Sequence, residues 1–290
     1  MLCIYVVMLL WGTLAYCKRN ILQKYVYNNG NGTLVHISYG NYGFHIKDGY
    51  IIFPKSGFII DSGCSSSYIV PDTLLHLPNI NVQASICIID ANNEIKEHPL
   101  YFVPTIKIDD SLVVKNVVAY PFEWTSNKTS AIGMDIISAA NWHFNFNNNT
   151  INITPVSETA IIPQKHITFS YTKAKEPLTN LVIGNNVYDN VLLDMGMVDW
   201  DMCLTDSDLS LLFQNYIPID SSETTSYGHN SSYTTTKYYF DSVSIDAEIY
   251  RDICIRKGSK NIIGMDFFRR FDHLFWDSKN KKVYLWNDEK

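Results

Sequence analysis

From about residue 34 onward, short apolar runs alternate with polar turn residues. Leu34-Val35-His36-Ile37-Ser38-Tyr39, Tyr50-Ile51-Ile52-Phe53, Ile86-Cys87-Ile88-Ile89, 113–120 and 237–243 are rich in β-branched and aromatic side chains, and Asn, Gly, Asp or Pro bound them. This pattern predicts strands joined by tight turns, and hence an all-β chain. Helical periodicity is brief. Residues 72–77, 135–141, 206–213 and 266–271 each read as one short helix, opened by an Asp whose carboxylate can cap free backbone N–H groups. Pro at both ends and weak periodicity mark 155–165 as a boundary between two lobes, 18–157 and 158–290.

The pattern also repeats at long range. Gly57-Phe58-Ile59-Ile60-Asp61-Ser62-Gly63 precedes Ala131-Ile132-Gly133-Met134-Asp135, and Asn190-Val191-Leu192-Leu193-Asp194-Met195-Gly196 precedes Ile262-Ile263-Gly264-Met265-Asp266. Each copy therefore carries one Asp-x-Gly at the end of an apolar strand. Gly63 and Gly196 are expected to let the following turns fold tightly. Copies packed about a pseudo-two-fold axis bring equivalent residues together, which would set Asp61 beside Asp194. Like charges that close cannot both ionise cheaply, so one carboxyl keeps its proton near neutral pH. Such a pair can cleave a peptide bond without a covalent intermediate, the ionised Asp activating a water while the protonated one polarises the carbonyl. Asp135 and Asp266 repeat as faithfully. They stand before Ile136-Ile137 and Phe267-Phe268, however, and read as helix caps.

Composition narrows the function classes. With 290 residues, 46% of them hydrophobic, the chain can bury a sizeable core. Its formal charge of −6 and lack of a sustained Lys/Arg run exclude a nucleic-acid surface. The eight histidines are scattered without His-Glu-x-x-His, there is no Cys-x-x-Cys, and no Gly-x-Ser-x-Gly occurs. Neither a metal nor any other cofactor is expected, and Cys64 lacks the surroundings of a thiol nucleophile.

Ile4 to Leu10 are almost wholly apolar, Trp11 to Tyr16 continue mostly apolar or small, and Lys18 and Arg19 close the segment. Residues 1–17 thus read as a secretory segment, predicting an exported protein that is secreted, periplasmic or attached to the cell envelope. The missing positive n-region leaves a membrane anchor as the alternative. Leu14-Ala15-Tyr16-Cys17 resembles a lipoprotein box that would acylate Cys17, from which Tyr16 departs. Of the remaining cysteines, Cys64 and Cys87 fall in one copy and Cys203 and Cys254 in the other. One disulfide per lobe and four buried thiols are both open.

The residues around Asp61, Ile59-Ile60-Asp61-Ser62-Gly63 through Cys64-Ser65-Ser66-Ser67-Tyr68-Ile69-Val70-Pro71, resemble the hydrophobic-hydrophobic-Asp-Thr/Ser-Gly signature of aspartic proteases. Ile262-Ile263-Gly264-Met265-Asp266-Phe267-Phe268, with Phe271 and Val283-Tyr284-Leu285, resembles the C-terminal signature of the pepsin and retropepsin-like families. The short lobes are similar to two retropepsin-like units fused in one chain. The resemblance implies a bilobal acid-protease fold, with two similar β-barrel lobes, short helices and a cleft between them. It also implies a monomer with internal pseudo-two-fold symmetry, a peptide or protein substrate, catalytic Asp61 and Asp194, and active-site loops at Ser62, Gly63, Met195 and Gly196. Flap hairpins would be 86–97, turning at Ala91-Asn92-Asn93, and 224–239, turning at 228–232. One position departs from the family. Met195 stands where a Thr or Ser hydroxyl normally bonds across the lobe junction, and Met197, Val198, Asp199 and Trp200 replace small hydroxyl residues. The reading is an aspartic endopeptidase. A peptide-binding relative that does not cut is the alternative, and a structural cell-envelope lipoprotein without a cleft is a third class.

Overall fold

A computed structural model describes residues 35–70, 81–89, 95–121, 129–227 and 232–289. The N-terminal segment, the expected helix at 72–77, the hairpin turn at 91–93 and residues 228–231 of the second turn lie outside them.

Among the described residues the strands form three sheets. In the first lobe the order is β3 (His45–Lys47), β4 (Tyr50–Ile52), β5 (Ile59–Ile60), β10 (Ala131–Ile132), β6 (Tyr68–Ile69), β9 (Val113–Pro121), β8 (Ile95–Lys107) and β7 (Asn81–Ile89), with β1 (His36–Ile37) paired to β9. In the second lobe it is β14 (Leu178–Ile183), β15 (Asn186–Leu193), β20 (Ile262–Ile263), β16 (Met202–Leu204), β19 (Glu248–Lys257), β18 (Ser232–Ile245) and β17 (Asp220–Tyr227). The seven strands of the second lobe match β4-β5-β10-β6-β9-β8-β7 of the first in order, while β3 and β1 have no counterpart. β5 runs parallel to β10 with Ile59 opposite Ala131, and β15 runs parallel to β20 with Leu192 opposite Ile262. β6 and β16 then add antiparallel, and β9 and β19 add parallel to them.

A third sheet joins the lobes, in the order β13 (Ile167–Ser170), β22 (Lys282–Trp286), β21 (His273–Asp277), β11 (Asn141–Asn145), β12 (Thr150–Thr154) and β2 (Gly40–Gly43). Three strands come from each half. The seam is the antiparallel pair β11–β21, with Trp142 opposite Trp276 and Phe144 opposite Leu274. These four side chains alternate with His143, Phe275 and His273, so one face of the seam feeds the large core while the other carries the two imidazoles. Both indole N–H groups are satisfied in that core, Trp142 by the Ile137 carbonyl at 2.8 Å and Trp276 by the Tyr171 hydroxyl at 3.0 Å.

Helices are short, as expected, but their caps differ. α1 (Met134–Ile137), α2 (Asp206–Leu212) and α3 (Met265–Phe268) are preceded by Gly133, Thr205 and Gly264, so the three Asp residues expected as caps lie one or two positions inside. The Thr205 hydroxyl does the capping at α2, accepting from Asp208 N–H at 3.3 Å. Asp135 is used elsewhere. Its Oδ1 accepts from the Ser67 N–H at 2.9 Å and the Ser67 hydroxyl at 2.7 Å, tying α1 to the loop that follows Asp61. Asn141, expected to end α1, opens β11.

Among the described residues no disulfide forms. Cys64, Cys87, Cys203 and Cys254 are all free thiols, so of the two open alternatives there is no bridge in either lobe, and of the four only Cys203 is fully buried while Cys87 is exposed. Both expected hairpins are present as β7–β8 and β17–β18, with Ile89 opposite Ile95 and Tyr227 opposite Ser232 at the ends nearest their turns.

Candidate active site

The two Asp-x-Gly turns leave equivalent strands by the same hydrogen bonds. Asp61 N–H donates to the Ile132 carbonyl at 3.0 Å, and Asp194 N–H to that of Ile263 at 2.9 Å. Each chain then doubles back, Cys64 N–H reaching the Asp61 carbonyl and Met197 N–H the Asp194 carbonyl, both at 3.3 Å. Each turn is anchored from below as well. Met134 N–H donates to the Cys64 carbonyl at 2.8 Å, and Met265 N–H to the Met197 carbonyl at 2.7 Å. The Gly-Met-Asp repeats are thus the floor on which the Asp turns sit.

This symmetry brings Asp61 and Asp194 together at the lobe junction. Gly63 N–H donates across it to Asp194 Oδ1 at 3.2 Å, and Gly196 N–H donates to the same oxygen at 2.8 Å. Neither glycine takes a left-handed conformation, contrary to the expectation that they ease the turn. Their role is room. A Cβ on Gly63 would overlap the Asp194 carboxylate, and a Cβ on Gly196 would overlap that of Asp61.

The junction is also held by one hydroxyl. Ser62 Oγ donates to the Leu193 carbonyl at 2.9 Å and accepts from Met195 N–H at 2.8 Å, and Ser62, Leu193 and Met195 are completely buried. Met195 has no hydroxyl to return the arrangement toward Ile60, and its thioether packs in the main core instead. A second contact crosses the junction at the β3–β4 turn. Asp48 and Gly49 adopt φ of 50° and 82°, which lets the Gly49 backbone press on Val198, where a Cβ would come within 2.7 Å of the Val198 Cβ.

Burial raises both carboxyl pKa values from their ordinary 3.8. Asp61, 7% exposed, is pushed up first by desolvation, against which the Cys64 thiol, the Cys64 and Gly63 N–H groups and the Asp194 carboxyl all stabilise its charged form. Asp194 is pushed up to about 7 by desolvation and then by the charge on Asp61, partly offset by N–H groups of Gly196, Gly63 and Met197. The pair therefore holds one proton in common up to near neutrality.

Three further side chains complete the site. Cys64 Sγ donates to Asp61 Oδ2 at 3.1 Å while its N–H donates to Oδ1 at 3.1 Å. Burial and the Asp61 charge push this thiol well above its ordinary range, so it stays an S–H donor. Tyr120 hydrogen-bonds to Cys64 in turn, and its own pKa is raised by burial and by Cys64 and Asp61. Tyr50 lies close enough that, after burial, the charges of Asp61 and Asp194 help push its phenol up to about 12. None of the three roles is visible in sequence. Cys64 stands three residues after Asp61, which is the one signal available, whereas Tyr50 and Tyr120 arrive through strand pairing.

Small apolar clusters flank the two turns, separate from the main core. One is Ile59, Tyr68, Leu100, Tyr120 and Ala131; the other is Leu192, Met197, Cys203 and Ile262, with Trp200 packed against it. Among the described residues no group of three or more His, Cys, Asp or Glu is arranged to hold a metal ion. No helix among them is long and apolar enough to cross a membrane.

No protein-family model and no curated protein matches the chain. Among solved structures, basic 7S globulin from soybean superposes with a TM-score of 0.50 at 9% identity, over 87% of this chain and 96% of that one. A retropepsin-like aspartic protease from Rickettsia conorii matches at 18% identity over 42% of this chain and 89% of its own, with a TM-score of 0.32. Two strand-matched lobes, a shared six-stranded sheet and the breadth of the first of these superpositions together give the chain the bilobal acid-protease fold.

Proposed function

We propose that this protein is an aspartic endopeptidase in which Asp61 and Asp194 share one proton and one water. The observation that carries the reading is the pairing of two carboxyls across the lobe junction, Asp61 buried and Asp194 half-buried, each supplied with backbone N–H donors and each needing a glycine opposite. In the cleaving step Asp61 takes a proton from the water as it attacks the peptide carbonyl, and Asp194 donates its proton to the carbonyl oxygen. Collapse of the tetrahedral species passes a proton to the leaving amine and returns the pair to its singly protonated state. Cys64 and Tyr120 keep Asp61 in place without exchanging its proton, since both are held neutral. The match of seven strands in the same order between the lobes supports the finer reading of two retropepsin-like units fused in one chain. The apolar run from Ile4 to Leu10 supports action in an exported compartment, with lipid attachment at Cys17 a further proposal.

A second reading is favoured by Met195. With only one of two hydroxyls crossing the junction, the fold would bind peptides without cutting them. Incubating the purified protein with a mixed peptide library from acidic to neutral pH, beside Asp61→Asn, separates the two. Cleavage lost in Asp61→Asn supports the endopeptidase; peptide binding without cleavage by the unaltered protein refutes it.

A further inference from the structure

The walls beside the two Asp turns are built at equivalent positions from opposite chemistry. Tyr68 pairs with Tyr120 between β6 and β9, and Cys203 pairs with Arg256 between β16 and β19. The first pair is two aromatic rings 5.9 Å apart. The second is a thiol and a guanidinium.

Arg256 is only 3% exposed, and its contacts do not neutralise it. Nη2 reaches Cys203 Sγ at 3.6 Å, Nε is buried without a partner, and no carboxylate pairs with it among the described residues. The guanidinium lies 4.1 Å from the centre of the Trp200 ring. Lys237, directly opposite Arg256 in the β18–β19 ladder, brings its ammonium to 4.9 Å from the same ring. Its hydrogen bond goes to the Asp199 carbonyl at 3.2 Å, which supplies no charge. The Trp200 indole N–H is likewise buried without a partner.

An aromatic face offsets part of a cation's desolvation, but like charges opposite one another in a ladder repel, and a buried unpaired cation is costly. Two cations and an unpartnered indole N–H on one ring make a site whose chemistry suits an anion. It lies beside the Asp194 turn, because Cys203 and Trp200 pack with Leu192 and Met197 on either side of that residue. A cavity of about 420 Å³ adjoins it, lined by Tyr233, Thr235, Lys257 and Gly258 among others. Gly258 forms the partition, where a Cβ would overlap Cys203 Sγ and come within 3.6 Å of Arg256 Nη2. Lys257 is already paired with Asp206 at 2.7 Å, which leaves Arg256 and Lys237 as the charges to be met.

We infer that this wall is the subsite for an acidic side chain of the peptide, whose carboxylate meets the Lys237 ammonium and the Arg256 guanidinium with the Trp200 indole N–H as a further donor. The inference rests on the cleft being a peptide site, whether or not the peptide is cut. The first wall, aromatic throughout, then takes an apolar side chain, so the substrate is read as apolar on one side and acidic on the other.

The test uses internally quenched peptides carrying Glu, Gln or Leu in turn at each position flanking the cleaved bond. The unaltered protein is expected to prefer Glu over Gln at one position by on the order of ten- to a hundredfold in kcat/KM, the worth of hydrogen bonds to a charged group. Arg256→Gln should abolish that preference, and Lys237→Gln, at a half-buried position that tolerates change, should reduce it. The same peptides titrated onto Asp61→Asn by fluorescence anisotropy read the preference without catalysis. Acid-selective binding that Lys237→Gln weakens, with no cleavage by the unaltered protein, keeps the subsite and removes the endopeptidase reading. Cleavage or binding with no position favouring Glu, or a preference that both variants retain, overturns the subsite alone. Failure of every peptide to bind overturns both.

Discussion

Replacing Ser62 by Ala removes one oxygen atom and, with it, the hydroxyl that bonds to both sides of the second Asp turn. The Leu193 carbonyl and the Met195 N–H each lose their partner at a site where all three residues are completely buried. Leaving a buried polar group unpaired costs about 1–3 kcal/mol. Two such groups, eased by some relaxation of the turn, give an expected loss of about 2–4 kcal/mol, although the side chain shrinks too little to leave a cavity. Ser62→Thr keeps the hydroxyl and should lose less. Urea denaturation of the two variants beside the unaltered protein measures the difference. The same loosening would spoil the alignment of Asp61 with Asp194, and a misplacement of about 1 Å costs on the order of a hundredfold in rate. Ser62→Ala should therefore lower kcat with KM little changed, because Ser62 itself faces the junction and not the substrate. A stability within about 0.5 kcal/mol of the unaltered protein, together with unchanged kcat, would refute the assignment of this hydroxyl as the lobe latch.

Further predictions follow from the same geometry. Met195→Thr supplies a second hydroxyl, so the double variant with Ser62→Ala should lose less stability than the two single losses added together; strict additivity in the four-way comparison would show that the positions are uncoupled. Both Asp pKa values are raised in the folded state, so their contribution to stability is complete below the ordinary 3.8 and is lost as pH rises through about 7 for Asp194. Melting curves should show Asp194→Asn gaining on the unaltered protein between about pH 4 and pH 7, and a constant gap would contradict the shared proton. His143 runs the other way, because burial and the neighbouring His273 lower its pKa from 6.5 to about 4. Its share of stability is complete above 6.5 and is lost as pH falls toward 4, so His143→Phe should flatten the acid side of the stability profile. Gly196→Ala should cost more than about a hundredfold in kcat/KM by displacing Asp61, and near-normal activity in that variant would mean the turn has room that the structure does not give it.

The strands and the paired turns were legible because their signals are local. An apolar run such as Ile59-Ile60 or Leu192-Leu193 ending in Asp-x-Gly says what it is within seven residues of chain, and the repeat supplies the partner. Contacts set by strand register were not legible. Nothing near Cys64 in sequence distinguishes a thiol donating to Asp61 from one awaiting a disulfide, and Cys203 gives no local hint that Arg256 lies opposite it. The helix caps were misread for a similar reason. An Asp before an apolar pair is a sound cap pattern, but the backbone of Ser66 and the carbonyl of Cys64 crowd position 133, so a glycine takes the cap and Asp135 turns to Ser67. The departure at Met195 was legible in sequence, whereas its consequence, a single hydroxyl crossing the junction, needed the geometry.

The seam between β11 and β21 also sets an order of events during synthesis. The bonds that create the carboxylate pair, from Ser62 to Leu193 and from Gly63 to Asp194, each span 131 residues, and the seam pairs Trp142 with Trp276. A ribosome can release the whole first lobe with Asp61 in its turn and still have made no reactive site. The second carboxylate is docked only once the last strands have left the exit tunnel, so a chain that ends before Asp194 carries one carboxylate and no pair. For a protein whose proposed chemistry would threaten its own unfolded neighbours, the long separation of its two halves acts as a timer written into the gene.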